Sequence, residues 1–212
     1  MPRPGRLDAA VLAAGLSRRM GRPKPLLAAG PGQTLLSRAL EAASVVDGRL
    51  WVVLGAAAGA VREEAERWAR LRGQQERLRC LYNPRYADGL GSSVAAAARA
   101  VTECGAPEGL LLLVADQPAL GAAQVERLVR TFAARGEAVA VAAAEAGELR
   151  NPVIFAGELL AELRALEGEA GGRQLLARHR GRVLPVELGR GPWFRDVDEP
   201  ETYARLVEEM GW

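Results

Sequence analysis

Several residues on which common enzyme mechanisms depend are scarce in this sequence. Its two cysteines, Cys80 and Cys104, lack Cys-x-x-Cys spacing, so neither a disulfide framework nor a zinc site is indicated, and we expect both to be small core residues. The one histidine, His179, lies in a basic run, where we expect it to face solvent. Because there is also no Gly-x-Ser-x-Gly motif, the sequence gives little support to a serine hydrolase.

Long apolar runs and a large excess of charge are also missing. The formal net charge is +2, which implies no broad basic face for nucleic acid. No stretch approaches the length of a membrane span, and residues 1–6 are polar, without the apolar run of a signal peptide. We therefore expect a cytoplasmic protein that acts without a membrane or a nucleic acid.

Lysine occurs once, at Lys24, whereas arginine accounts for the other 27 of the 28 basic residues. A chain with this bias should carry arginine wherever either cation is tolerated. Lys24 therefore indicates a position that requires a compact ammonium on a flexible stem, as at close contacts with phosphate oxygens. The alternative is a surface lysine without a function.

Lys24 lies in a loop, residues 12–27, that follows an apolar run typical of a buried parallel strand. Open α/β sheets bind ligands at the carboxyl ends of their strands, and a loop of glycines and cations there favours a phosphate chain. Gly15 and Gly21 do not have Walker A spacing. The dinucleotide fingerprint is also absent, since Val94 takes the place of its third glycine after Gly89 and Gly91.

Strand and helix patterns alternate along the whole chain. Strands are predicted over 9–13, 50–54, 78–82, 110–115, 138–143 and 183–188, and helices over about 34–46, 61–72, 94–101 and 122–135, with others ending near 166 and beginning near 200. Hydrophobic periodicity does not decide whether the alanine-rich segment that follows residue 143 and ends at Gly147 is strand, helix or loop. This alternation predicts one α/β domain over 1–212, a single doubly wound, mostly parallel sheet with Rossmann-like topology.

Polar residues follow two of the predicted strands. Asp116 ends the most hydrophobic run, where a carboxylate could hold Mg²⁺ against phosphates; otherwise it caps the next helix. Ser92 and Ser93 precede an alanine-rich helix, where hydroxyl and N–H groups can bind a base edge or a phosphate. Asn83 stands before a proline and is equally well explained as a turn residue.

The loop pattern Leu-Ala-Ala-Gly-x-Ser-x-Arg-Met-Gly-x-x-Lys resembles the signature of the nucleotidyltransferases typified by the molybdenum-cofactor cytidylyl- and guanylyltransferases. The resemblance implies a Rossmann-like nucleotidyltransferase fold and a loop that wraps the triphosphate of an NTP. It places Arg19 and Lys24 on phosphate as the catalytic cations. The residues that would line the bound nucleotide are Leu12, Ala13, Ala14 and Gly15, together with Ser92 and Ser93.

Later segments resemble further elements of that family. The segments that contain Asn151-Pro152 and Arg173 resemble elements that line the acceptor side in that family. Asp198, in an Asp-x-Asp pair predicted on one strand face, would be the second Mg²⁺ ligand beside Asp116. As an alternative, Asp198 caps the last helix. The sequence departs from the family at Asn151, Glu169 and Glu199, and also at Gly91, where the family has serine. The departures at Asn151 and Glu169, on the acceptor side, leave the identity of the acceptor open.

The resemblance implies attack by an acceptor phosphate on the α-phosphate of an NTP, with release of pyrophosphate. Residues about 8–120 would bind the nucleotide and about 121–212 the acceptor. We expect CMP transfer from CTP to molybdopterin, because CTP-using members tend to carry Ala-Ala where GTP-using members carry Ala-Gly; a molybdoenzyme could then receive the product. Guanylyl transfer, another phosphorylated acceptor, and a non-catalytic cofactor-insertion chaperone remain alternatives, and a dinucleotide oxidoreductase is least favoured.

Overall fold

Seven strands form one sheet in the computed structural model, which describes residues 6–212. The strands are β1 Leu7–Ala13, β2 Leu50–Leu54, β3 Leu78–Tyr82, β4 Gly109–Val114, β5 Ala140–Glu145, β6 Glu148–Ala156 and β7 Val183–Glu187. They lie in the order β3-β2-β1-β4-β6-β5-β7. All neighbouring pairs are parallel except those of β6, which runs antiparallel to β4 and β5. The polar segment expected not to be a signal peptide falls mostly in 1–5, outside the described residues.

Helices cover both faces of this sheet, as predicted for a doubly wound fold. They are α1 Leu35–Ala43, α2 Ala58–Arg72, α3 Leu90–Glu103, α4 Ala122–Ala133, α5 Leu160–Arg164, α6 Arg173–Arg178 and α7 Pro200–Met210. One core packs α1, α2 and α4 against the sheet, and the other packs α3, α5 and α6. Within the described part of the chain, no helix is long and apolar enough to cross a membrane.

A third, smaller core fixes the basic loop in place. Met20 and Leu27 of the loop are buried together with Val197, which precedes α7, and Leu206 within it. These residues come from opposite ends of the chain, and burying their apolar side chains together is what holds the ends against each other. The loop after β1 is therefore held against the segment that carries Asp196 and Asp198.

Some local predictions were wrong. The antiparallel strand β6 was not foreseen, and α3 begins at Leu90, so that Ser92 and Ser93 lie in its first turn. The segment carrying Asp196 and Asp198 is not a strand. Cys104 is exposed instead of lying in the core, because α3 ends at Glu103 and Cys104 lies in the turn that follows, and Cys80 is only partly buried.

His179 does not simply face solvent. Its Nε2 lies 2.9 Å from Oε1 of Glu162, and only 22% of its side chain is exposed. Because Glu162 lies on α5 and His179 ends α6, this contact ties two helices together. The contact with Glu162 therefore gives His179 a structural role in helix packing.

Candidate active site

The site lies at the switch point of the sheet, where β2 and β3 follow on one side of β1 and the later strands follow on the other. β1 pairs with β2 on one side and with β4 on the other, so the loops after β1 and β4 lie side by side at the carboxyl edge of the sheet. Asp116 stands just beyond β4, in the central part of the sheet, as predicted. The helix α4 is capped by Gly121, so the alternative that Asp116 caps this helix is excluded.

A first cavity of about 270 Å³ opens over the end of β1. Among the residues predicted to bind nucleotide, those that line it are Leu12, Ala13, Ala14, Gly15, Lys24 and Ser93. The loop that forms its wall is tied back on itself, because the Ser17 hydroxyl accepts a 2.9 Å hydrogen bond from the backbone N–H of Lys24. Ser17 has φ 50° and Gly21 φ 64°, so two left-handed residues turn the chain sharply around the cavity.

Lys24 lies between the two predicted metal-binding acids. Its Nζ donates hydrogen bonds of 2.7 Å to Oδ2 of Asp116 and 2.9 Å to Oδ1 of Asp198. Burial by itself would lower the pKa of Lys24, but the charge of Asp116 and hydrogen bonds to both acids outweigh it and raise the pKa above its ordinary value. The ammonium is therefore charged at neutral pH.

Arg19 approaches the same acids from the solvent side. Its guanidinium lies 3.7 Å from Oδ2 of Asp198 and 3.5 Å from Oε1 of Glu199, with 66% of the side chain exposed. The hydrogen bond from Lys24 is the largest cause that lowers the pKa of Asp198, and the charge of Arg19 adds to it. Asp198 is therefore ionised at neutral pH. Glu199, and not Asp198, is the N-terminal flanking residue of α7, which excludes the capping alternative for Asp198.

Asp116 and Asp198 lie close together because a backbone hydrogen bond connects the segments that carry them. The N–H of Val197 donates a 2.9 Å hydrogen bond to the carbonyl oxygen of Asp116, and Val197 is completely buried. Asp196 thereby also reaches the site, where Gln117 donates a 2.9 Å hydrogen bond to it. Desolvation and the charge of Asp116 raise the pKa of Asp196. Sequence reasoning assigned no function to Asp196, although the scarcity of aspartate, six of 26 acids, was a signal for it.

A second cavity of about 390 Å³ adjoins the first. It is lined by the predicted acceptor residues Asn151 and Arg173 and by Asp198, while Asp116 and Glu169 line both cavities. The walls also include Val153 and Phe155 of β6, the strand that the sequence did not predict. The two cavities therefore meet at Asp116, one of the two acids to which Lys24 donates hydrogen bonds.

The two predicted serines have different surroundings. Ser93 lines the first cavity, whereas Ser92 is absent from the linings of both and donates a hydrogen bond to the carbonyl of Arg85 or Gly89. Both hydroxyls accept hydrogen bonds from Nδ2 of Asn83, at 2.9 and 3.1 Å. Asn83 is almost fully buried, and its Oδ1 accepts from the backbone of Arg85. The turn interpretation is thus correct, and Asn83 also holds the first turn of α3.

Close packing explains the glycine that replaces a family serine at position 91. A Cβ on Gly91 would lie 2.6 Å from the carbonyl oxygen of Glu167 and 2.8 Å from that of Gly168, well inside van der Waals contact. The N–H of Gly91 also donates a 2.8 Å hydrogen bond to the Gly168 carbonyl. The start of α3 thus lies directly against the segment that leads to Glu169, which lines both cavities.

The chemistry of these side chains suits a hard divalent cation. Asp116 and Asp198 supply carboxylate oxygens, and Mg²⁺ characteristically takes one or two carboxylates together with waters and substrate phosphates. Within residues 6–212, no cluster of three or more histidine, cysteine or acidic residues has the arrangement of a complete metal site. If these two acids bind a metal ion as predicted, waters and phosphate oxygens would have to complete its coordination shell.

A doubly wound sheet whose switch point carries a basic loop facing two acids defines this protein as an α/β nucleotidyltransferase. Residues 9–183 match the model of the family described as MobA-like NTP transferase domain, and the chain belongs to this family. The resemblance seen in the loop after β1 is thereby confirmed. No match was found among curated proteins.

Solved structures of similar proteins share the fold over nearly the whole chain. A homologue of Rv0371c from Mycobacterium sp. strain JC1 is 30% identical, with a TM-score of 0.76 and 97% of each chain covered. Rv0371c of Mycobacterium tuberculosis H37Rv, in a complex with manganese, is 27% identical, with a TM-score of 0.71 and coverages of 96% of this chain and 98% of that one. Molybdopterin-guanine dinucleotide biosynthesis protein A from Archaeoglobus fulgidus is 17% identical, with a TM-score of 0.63 and coverages of 96% and 98%; at this identity the likeness shows the fold alone.

Proposed function

We propose that this protein transfers CMP from CTP to the phosphate of a molybdopterin-type acceptor and releases pyrophosphate. The observation that carries the proposal is the meeting of two cavities at the cluster formed by Lys24, Asp116 and Asp198. A reaction between two bound molecules requires this arrangement, since the attacking and leaving groups must lie on opposite sides of the reacting phosphorus.

The two sides of the site differ in chemistry. Apart from Glu169, the first cavity is lined by residues before position 120, which supports the assignment of about 8–120 to the nucleotide, whereas residues from both parts of the chain line the second cavity. In the second cavity, Val153 and Phe155 provide an apolar wall, and Asn151 and Arg173 provide polar groups. Such a cavity suits an acceptor with a flat ring system and a phosphate.

Each charged residue has a defined task in this proposal. Arg19 and Lys24 would neutralise the negative charge that develops on the departing pyrophosphate. Asp116 and Asp198 would hold Mg²⁺, which when bound supplies positive charge to the phosphates; the manganese complex of Rv0371c supports the use of a divalent cation. No general base is needed, because a phosphate nucleophile is already ionised at neutral pH.

The choice of CTP depends on Ala14, which lines the first cavity and is almost fully buried. Its carbonyl oxygen would lie 2.2 Å from a Cβ placed on Gly55, so the backbone of Ala14 is packed closely against the start of the loop after β2. The methyl group of Ala14 therefore stands at a position that cannot easily retreat. It would occupy space that a purine requires and that a pyrimidine leaves free.

A second candidate, transfer to a different phosphorylated acceptor, is favoured by one observation. Asn151 and Glu169, two of the departures from the family pattern, both line the second cavity. An assay of purified protein with Mg²⁺, each of the four NTPs, and either molybdopterin or another phosphorylated acceptor, measuring pyrophosphate, tests both candidates. We expect release with CTP and molybdopterin together. Release with CTP and another phosphorylated acceptor, but not molybdopterin, would establish the second candidate, and no release with any pair would refute both.

A further inference from the structure

The ammonium of Lys24 occupies the position of a cation between the two acids assigned above as metal ligands. It makes short hydrogen bonds to one oxygen of each, and its side chain is only 16% exposed. No other side chain within residues 6–212 forms an ion pair with Asp116, and Arg19 contacts Asp198 only at 3.7 Å. Lys24 thus provides the close positive charge that keeps two neighbouring carboxylates together.

A divalent cation cannot join this arrangement without displacing the ammonium. Mg²⁺ binds carboxylate oxygens at about 2.0–2.1 Å, so one ion that bridges Asp116 and Asp198 must lie between the two carboxylates, where Nζ of Lys24 stands. Two cations held between the same pair of carboxylates would also lie within a few ångströms of each other, where their repulsion is strong. Occupation of this position by Lys24 and by the metal is therefore mutually exclusive.

The first cavity can accept the ammonium of Lys24 when a metal ion displaces it from the two acids. The backbone of Lys24 is fixed by the Ser17 hydroxyl and by the buried Pro25 that follows it, but the side chain is a flexible stem. Lys24 also lines the first cavity, so rotation about its side-chain bonds carries Nζ from the acids towards a nucleotide bound there. A polyphosphate in the cavity offers the ammonium new anionic partners.

We propose that Lys24 is a resident cation that holds the metal position between Asp116 and Asp198 in the nucleotide-free protein, and that a divalent cation displaces it only together with a polyphosphate, which then binds the ammonium. The inference rests on the proposed function in assigning the two acids to the metal. Its consequence is reciprocal coupling: the polyphosphate strengthens metal binding by the same factor by which the metal strengthens polyphosphate binding.

The exchange can be observed directly, because Lys24 is the only lysine in the sequence. Protein labelled with [¹³Cε]-lysine gives one side-chain NMR signal that belongs to this residue. We expect little change with millimolar Mg²⁺ alone and a clear shift when Mg²⁺ and CTP are added together. The proposal is overturned if Mg²⁺ alone produces the full shift, or if the signal stays unchanged while backbone amide signals show that Mg²⁺ and CTP have bound.

A second measurement uses the affinity for Mn²⁺ without nucleotide, followed by electron paramagnetic resonance. Lys24→Met removes the competing cation, so Mn²⁺ should bind about tenfold more tightly or better, because hydrogen bonds to charged groups no longer have to be broken. The matched control is Arg18→Met, which removes one charge from an exposed position in the same loop and should change the affinity much less. Equal changes in the two variants would refute the exchange.

These measurements do not depend on turnover, so the two proposals can fail separately. If wild-type protein releases pyrophosphate in the transfer assay but Lys24→Met leaves Mn²⁺ affinity unchanged, the transferase function stands and the exchange is wrong. If Mn²⁺ affinity rises as expected while no NTP and acceptor pair reacts, the cation exchange stands and the proposed reaction is wrong.

Discussion

Gly91→Ala tests the close packing between α3 and the segment before α6. The added Cβ would meet two carbonyl oxygens at 2.6 and 2.8 Å, whereas ordinary contacts begin near 3.4 Å, so one backbone segment must move by several tenths of an ångström or more. Overpacking of this kind costs about 1–3 kcal/mol, more than alanine gains over glycine in a first helical turn. In a chain of this length, a loss of 1 kcal/mol lowers the melting temperature by about 2–4 °C.

The same substitution at another helical glycine supplies the control. Gly59 lies in α2, and a Cβ there would meet nothing within 4 Å. Gly59→Ala should therefore leave the melting temperature unchanged or raise it slightly, while Gly91→Ala should lower it in calorimetry. Because the displaced segment carries Glu169, which lines both cavities, we also expect Gly91→Ala to raise KM. Equal melting temperatures for the two variants would refute the packing argument.

Four further predictions concern charge, metal, base and pH. Lys24→Arg should reduce pyrophosphate release about 10²- to 10³-fold, since a forked guanidinium does not fit a compact ammonium site; wild-type rates would contradict this. Asp116→Asn and Asp198→Asn should each weaken the Mg²⁺ dependence of the rate with little change in melting temperature, and a large loss of stability with an unchanged metal response would indicate a structural role instead. Ala14→Gly should relax a preference for CTP over GTP in competition assays, within the roughly 10- to 200-fold that one methyl group can provide, and wild-type preference for GTP would exclude the assignment. Glu64 accepts hydrogen bonds from Thr34 and Arg67; burial tends to raise its pKa, but these bonds outweigh it and lower the pKa below 4.5. Glu64→Gln should therefore cost about 1–2 kcal/mol in urea unfolding at pH 7, and the difference from wild type should shrink as the pH falls below 4.5, since the native carboxylate then becomes protonated; a pH-independent difference would refute this.

The sequence alone was sufficient to predict those features that depend on one contiguous segment of the chain. β1 is buried along its whole length and β4 as far as Leu113, and a continuous apolar run of this kind indicates a buried strand whichever strands lie beside it. The phosphate-loop motif is also contiguous, so the resemblance identified the family from residues 12–24 before any contact was known. Asp116 could be placed at the end of the central strand for the same reason.

The strand β6 shows why the sheet could not be predicted completely from the sequence. Its first residues, from Glu148 to Asn151, are exposed or only partly buried, whereas Val153 to Ala156 are buried, so the strand is neither a continuous apolar run nor an alternating one. Its antiparallel direction depends on the short turn that joins it to β5. Cys104 was misplaced in a similar way, because a small apolar residue at the end of a helix is buried or exposed according to where the chain turns next.

The sequence by itself determined that this is an α/β nucleotidyltransferase with a phosphate loop at the end of its first strand, because that information lies in local periodicity and in one continuous motif. Only the tertiary structure decided that Lys24 binds Asp116 and Asp198, which lie 92 and 174 positions away along the chain. The burial of Val197 and its backbone hydrogen bond to Asp116 bring these residues together, and the strength of such long-range contacts depends on how distant segments pack rather than on the residues next to them.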